Sequence, residues 1–304
     1  MQPIVVQHIH KSFGSVKALH DISFTVEEGE LFGLIGPDGA GKSTLFRILA
    51  TLLLADKGNA YVNGSDVVKD YRSVRRHVGY MPGRFSLYQD LTIAENLNFF
   101  ATIFSTSVEE NYELIRDIYE QIAPFKDRPA GKLSGGMKQK LALCCALVHK
   151  PRVLFLDEPT TGVDPVSRQE FWEMLKRLKS KGIPILVSTP YMDEAMLCDK
   201  VALIQKGEIM QINTPAAIVA GFGRQVWAVR AKNMYHLLKD IRAFEGTHSC
   251  FAFGEFLHVT LDTDESALQK YLRPLQHEDL VIRPAQPGIE DSFMQLMLEQ
   301  NETT

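Results

Sequence analysis

The sequence predicts an α/β fold built on a buried, mostly parallel sheet and followed by a small α+β domain. Three observations predict it. An apolar strand at 30–35 runs through a glycine-rich loop into a helical pattern at 42–53. Two more compact β-rich runs, 153–156 and 183–188, flank a helical pattern at 166–181, the alternation expected of strands covered on both faces. Beyond a composition shift near 221–223 the periodicities succeed one another as β-α-β-β-α-β.

The chain opens with β patterns at 3–8 and 18–26, the second closed by the turn Glu27-Glu28-Gly29. From about 91 to 149 the pattern is mostly helical, and the spacing of Ile115, Ile118, Tyr119 and Ile122 marks one such helix. Runs 201–205 and 208–212 flank Lys206-Gly207 as a hairpin. Later strands at 225–231, 247–253, 256–261 and 279–284 alternate with helices at 233–244 and 265–275, an order that suggests a ferredoxin-like domain, and a helix at 289–299 closes the chain. The expected domains are therefore 1–222, with a helical subdomain at about 90–150, and 223–304.

The 304 residues are 45% hydrophobic and 23% charged, with a net charge of −4. That is enough apolar material for a normal core, and no cationic surplus points to nucleic acid or an anionic membrane as a direct partner. The apolar run at 45–55 is broken by Arg47 and Thr51 and falls short of the ~20 residues a membrane span needs. No charged-then-apolar leader opens the sequence, so any membrane role is expected to be indirect, through partner subunits. Cys144, Cys145, Cys198 and Cys250 lack metal-ligand spacing and read as buried, reduced thiols of a cytoplasmic protein. The nine histidines form no metal motif, so the expected metal is one that arrives with a nucleotide.

Gly36-Pro37-Asp38-Gly39-Ala40-Gly41-Lys42-Ser43-Thr44 matches G-x-x-x-x-G-K-[ST] in full. Its glycines let successive backbone N–H groups face phosphate oxygens, and the helix that follows adds its positive dipole end. Lys42 supplies a point charge to the β- and γ-phosphates of ATP, and Ser43 a hydroxyl to Mg²⁺. In Val153-Leu154-Phe155-Leu156-Asp157-Glu158 an apolar strand ends in two carboxylates. Asp157 is placed to hold Mg²⁺ through water, and Glu158 to orient or deprotonate the attacking water. Leu133-Ser134-Gly135-Gly136-Met137-Lys138-Gln139-Lys140 opens another helix, with Ser134 as N-cap and two glycines that leave the first N–H groups open to an anion.

In this order the three motifs resemble those of the ABC transporter ATPases, P-loop NTPases with a mostly parallel sheet, an antiparallel β region and a helical subdomain. Thr161-Gly162-Val163-Asp164-Pro165 resembles the D-loop of that family. Phe13 stands where the family places an aromatic that stacks on adenine, although a core aromatic is the plainer alternative. The resemblance covers about 3–220. It implies a head-to-tail pair of cassettes, in which Ser134, Gly135 and Gly136 contact an ATP held mainly by the partner. Gly79-Tyr80-Met81-Pro82 with Phe85-Ser86-Leu87-Tyr88, the Thr161-Gly162-Val163-Asp164-Pro165 form and the ending Gly288-Ile289-Glu290-Asp291-Ser292-Phe293 resemble the multidrug-export branch of the ABC-2-type transporters, whose permease subunits are separate chains.

Two positions depart from the family pattern. Gly83 replaces a glutamine that ligands Mg²⁺, and Pro190 replaces a histidine that contacts the γ-phosphate. Loss of one oriented polar group of this kind costs roughly 10²–10³ in rate. Arg84 and Gln89 are nearby substitutes that also read as plain solvated-loop residues. Three functions stay in view: an exporter ATPase, a weakly hydrolysing subunit of an asymmetric dimer, and a soluble ABC protein of translation or DNA repair. The last calls for two cassettes, a coiled-coil insertion or a basic arm, none of which the sequence contains.

Overall fold

A computed structural model describes residues 2–302. The chain divides between Pro215 and Ala216 into two compact units.

The first unit begins with long antiparallel strands β1 (Ile4–Phe13) and β2 (Val16–Val26). Strand β3 (Leu31–Ile35) leads through the glycine loop into helix α1 (Lys42–Leu49). Next come β4 (Lys57–Val62), β5 (Ser65–Asp66), α2 (Tyr71–His77) and β6 (Val78–Met81). The helical segment holds α3 (Ile93–Ile103), α4 (Tyr112–Tyr119) and α5 (Gly135–Leu147). Then follow β7 (Val153–Asp157), α6 (Pro165–Ser180), β8 (Ile185–Thr189) and the hairpin β9 (Lys200–Gln205) and β10 (Glu208–Asn213).

Six strands form one sheet in the order β10-β9-β3-β8-β7-β6, and all neighbours are parallel except β9 and β10. Every residue of β3, β7 and β8 is buried, as strands covered on both faces must be. A second, antiparallel sheet runs β2-β1-β4-β5. The two sheets and α1 share one core, in which Phe24 of β2 stacks on Phe32 of β3 with ring centres 5.1 Å apart. The register pairs Ile35 with Thr189 and Asp157 with Ser188. The carboxyl ends of β3, β8 and β7 therefore lie side by side, which brings the loops after them to one crevice.

Sequence and structure differ locally. The helix expected at 42–53 stops at Leu49, because the Leu52 and Leu53 N–H groups both fold back to the Arg47 carbonyl and Thr51 turns to φ 63°. Across 57–81, where the sequence pattern marks no element, the chain forms β4, β5, α2 and β6. The four cysteines are buried, and burial pushes all four thiols up.

The second unit opens with α7 (Pro215–Ala220), whose first residue ends the first unit. It contains β11 (Val226–Arg230), α8 (Met234–Ala243), β12 (Thr247–Phe253), β13 (Phe256–Leu261), α9 (Glu265–Leu272), β14 (Val281–Ala285) and α10 (Ile289–Glu302). Its sheet is antiparallel in the order β12-β13-β11-β14. Leu237, Ile241, Leu268 and Leu272 of the helices pack on Val229, Leu257 and Val259. Among the described residues no helix is long and apolar enough to cross a membrane.

Candidate functional site

Backbone geometry makes the loop between β3 and α1. Gly41 sits at φ 103°, and a Cβ there would stand 2.4 Å from the Ala18 carbonyl oxygen, so no other residue fits. Lys42 opens α1 and its side chain is buried. Its amine donates to the Gly36 carbonyl at 2.8 Å and the Pro37 carbonyl at 3.0 Å, and stands 3.1 Å from Glu158 Oε1. A lysine ammonium has three donors, and each has a partner here.

The end of β7 meets this loop. Ser43 Oγ donates to Asp157 Oδ1 at 3.1 Å, and Ser188 Oγ donates to the same oxygen at 2.8 Å. Ser188 also accepts from the Glu158 N–H, at 3.0 Å through Oγ and 3.1 Å through its carbonyl. Glu158 adopts φ 51°, a left-handed turn directly after the strand, and its side chain lines a cleft of about 390 Å³ with Gly39, Gly41, Lys42, Ser43 and Thr44. Tyr80 of β6 lies close enough to feel the Asp157 charge; burial, then that charge, pushes its hydroxyl up to about 12.

The remaining sequence-derived residues lie elsewhere. Ser134 caps α5 with its Oγ 3.4 Å from the Met137 N–H. A Cβ on Gly136 would stand 2.6 Å from Ser167 Oγ, and one on Gly135 3.4 Å from the Gly162 carbonyl, so this helix start packs on the turn into α6. Asp164 caps α6 by accepting from the Ser167 N–H at 3.0 Å. None of Ser134, Gly135 and Gly136 lines the cleft that holds Lys42. Phe13 stands at the end of β1, half-exposed, with the Lys11 amine 5.5 Å from its ring centre. Gly36, Pro37, Asp38 and Ala40 complete the loop. Gly83 and Pro190 follow the carboxyl ends of β6 and β8.

The structure adds residues that the sequence did not single out. Ser188 ties the two carboxylate positions together, and its only sequence signal is its place beside Thr189 and Pro190. Lys17, Ala18 and Lys206 also line the cleft. Buried Glu194 accepts from Thr160 Oγ1 at 3.1 Å and Thr189 Oγ1 at 2.5 Å, and Arg168 Nε lies 3.2 Å from it. One carboxylate thus ties together the turn after Glu158, the start of α6 and the loop after β8. With its oxygen pair, buried cation and glycine turn, the crevice is equipped to hold a phosphate chain.

A family model described as "ABC transporter" matches residues 19–161. Over 293 residues the chain is 36% identical to the Nod factor export ATP-binding protein I of Rhizobium sp. (strain N33), covering 95% of this chain and 94% of that protein. The chain belongs to the ABC transporter ATP-binding family. A second relative is the probable multidrug ABC transporter ATP-binding protein YbhF of Escherichia coli (strain K12), 47% identical over 203 residues. That alignment takes in 66% of this chain and 35% of YbhF, so the chain spans about a third of that relative's length. A solved structure of the ATP-binding subunit of an ABC transporter superposes with a TM-score of 0.66 at 28% identity, covering 72% of this chain and 93% of that one. The ABC match includes the phosphate loop, the start of α5 and the end of β7; Phe13 and the second unit lie outside it.

Proposed function

We propose that the chain is the ATP-binding subunit of an ABC exporter, which binds and hydrolyses Mg-ATP at a dimer interface to drive transport by separate membrane subunits. One observation carries this reading: Lys42, Ser43, Asp157, Glu158 and Ser188 converge by direct contacts on one crevice. Phe13 is the proposed adenine contact, residues 36–44 the phosphate cradle, and Ser134, Gly135 and Gly136 the contribution of each chain to its partner's ATP.

The donor set fits magnesium. Ser43 Oγ and Asp157 Oδ1 are two oxygens 3.1 Å apart beside the phosphate cradle, the hard-oxygen chemistry that ion takes. When bound, magnesium neutralises charge on the β- and γ-phosphate oxygens. Lys42 does related work from the other side, and to do so its third donor must leave Glu158. Phosphate binding thereby frees the Glu158 carboxylate to accept a proton from water as the water attacks phosphorus.

The proposed membrane partners are permeases of the ABC-2 type, met on the cytoplasmic side. Leu87 of the patch 85–88 lines an apolar groove of about 410 Å³ with Leu52, Val78, Phe100, Phe104 and His149, beside exposed Tyr88. Apolar surfaces of this kind mark interfaces. The second unit, with its β-α-β-β-α-β order, is read as a ferredoxin-like accessory domain. Gly83 and Pro190 are the ground for a second reading, a weakly hydrolysing partner in an asymmetric dimer, while Glu158 in its place beside Lys42 argues against an inert site.

Nucleotide calorimetry and phosphate release test the proposal together. Lys42→Ala should weaken ATP binding at least ~10-fold, since it strips the buried cation from the cradle. Glu158→Gln should keep ATP binding and abolish phosphate release. Equal ATP affinity for Lys42→Ala and parent, with the fold intact, would overturn the site.

A further inference from the structure

The β9–β10 hairpin turn is built against its own chain preferences. Gln205 and Glu208 pair across it, leaving Lys206 and Gly207 as the two turn residues, at φ 48° and 80°. Positive φ at both positions is the pattern of a type I′ turn, where asparagine, aspartate or glycine is favoured at the first. Lysine has no local hydrogen bond to offer in return for the left-handed conformation.

The turn is also fastened to the phosphate loop. The Gly207 N–H donates to the Ala40 carbonyl at 3.0 Å, and the Gly207 carbonyl accepts from the His20 N–H at 2.7 Å. A Cβ on Gly207 would stand 2.7 Å from the Ala18 carbonyl oxygen, so the turn and the strand beside the loop are in close contact. Lys206 is exposed and lines the same cleft as Lys42, Ser43 and Glu158. Its nearest acidic neighbour in the turn, Glu208, is engaged with His20 at 3.0 Å. Lysine 206 thus brings a cation into this cleft at a position where backbone conformation favours another residue.

We propose that Lys206 is a further nucleotide-binding residue, which holds the phosphate chain from the hairpin side of the cleft. This rests on the nucleotide-site reading above and deepens it: to the buried Lys42 the site adds a lysine from another element, on the rim. Strain retained at a functional position is its physical signature.

The test uses two quantities that a structural role would move together. Lys206→Asn removes the charge and installs a residue suited to positive φ. The full-length variant should melt roughly 2 °C higher than the parent. Its Kd for ATP by calorimetry should rise about fivefold at low salt, with a shallower dependence on ionic strength, and AMP affinity should change less. Lys206→Arg should bind ATP within about twofold of the parent, since the charge is kept. ATP affinity unchanged in Lys206→Asn overturns the proposal, as does a loss accompanied by a lower melting temperature. Lys42→Ala separates the two readings. Unchanged binding there sinks the nucleotide site and Lys206 with it, whereas loss in Lys42→Ala with none in Lys206→Asn removes Lys206 alone.

Discussion

Gly83 lies against the residue that matters most to its chemistry. A Cβ built on it would stand 3.1 Å from the Asp157 carbonyl oxygen and 3.6 Å from Asp157 Oδ2, so a longer side chain there grows directly beside the Ser43–Asp157 oxygens. Pro190 follows Thr189, whose hydroxyl accepts from the Tyr191 N–H at 3.0 Å and donates to Glu194. The loop after β8 is thus held in place independently of residue 190, which contributes neither a side-chain donor nor an N–H. Gly83→Gln with Pro190→His should accordingly raise kcat of the purified chain at least ~10-fold with KM within about twofold, because both groups act on charge that develops in the transition state. Phosphate release measured on parent and double variant decides it. A parent that already turns over at ~1 s⁻¹ or faster shows that other groups meet the need.

Helix α5 is anchored at both ends. Its start packs on Ser167, and just past its last turn His149 lies flat on Phe104, with ring centres 3.8 Å apart and Nε2 3.2 Å from the Val78 carbonyl. Burial is the largest influence on this imidazole and depresses it to about 4; the Val78 carbonyl pulls it up and His77 pushes it further down. A histidine at about 6.5 in the unfolded chain then binds protons more readily than the folded one between pH 6.5 and 4. Its stability contribution is complete above pH 6.5 and is lost as pH falls toward 4, by about 3 kcal/mol in all. His149→Phe keeps the stacking and removes the titration. Urea melts should show the difference between variant and parent changing across that interval and flat above it. Parallel curves would remove the assignment. The same scale shows what the sequence could disclose. Strands β3, β7 and β8 were legible because burial on both faces leaves continuous apolar runs, and with them came Lys42, Ser43, Asp157 and Glu158 at their ends. Strand β4, Lys57–Val62, was not: it pairs with β1 but carries Lys57, Gly58 and Asn59, a turn-like composition. Helix α2 buries only Val74, so it has no apolar period to read. Ser188 was invisible as a bridge, because its partners are 31 and 30 residues away and meet it only through sheet register.

For the whole molecule, the proposed membrane subunits need a surface to meet. Patch 85–88 divides: Leu87 is buried, Phe85 is half-buried beneath the Lys138 amine 5.6 Å from its ring centre, and Tyr88 is exposed with its ring edge-on to Phe99 at 4.8 Å. Exposed Tyr88 and accessible Phe85 are thus available to a partner, while Leu87 is reached only from the groove it lines. Phe85→Asp with Tyr88→Asp should cut association with permease-containing vesicles at least ~10-fold in a flotation assay and leave ATP affinity within about twofold. Undiminished flotation would place the docking face elsewhere. The separation of Ser134, Gly135 and Gly136 from the Lys42 cleft carries a consequence of its own. If a complete site needs both sets of residues, one chain can bind nucleotide but cannot finish the enclosure. Encounter between chains then enters the rate, and specific activity in dilute solution rises with protein concentration before it levels off. Tethering two chains to one permease pair removes that dependence, because effective concentration replaces bulk concentration. The membrane assembly would then govern when ATP is spent as well as what the spending moves.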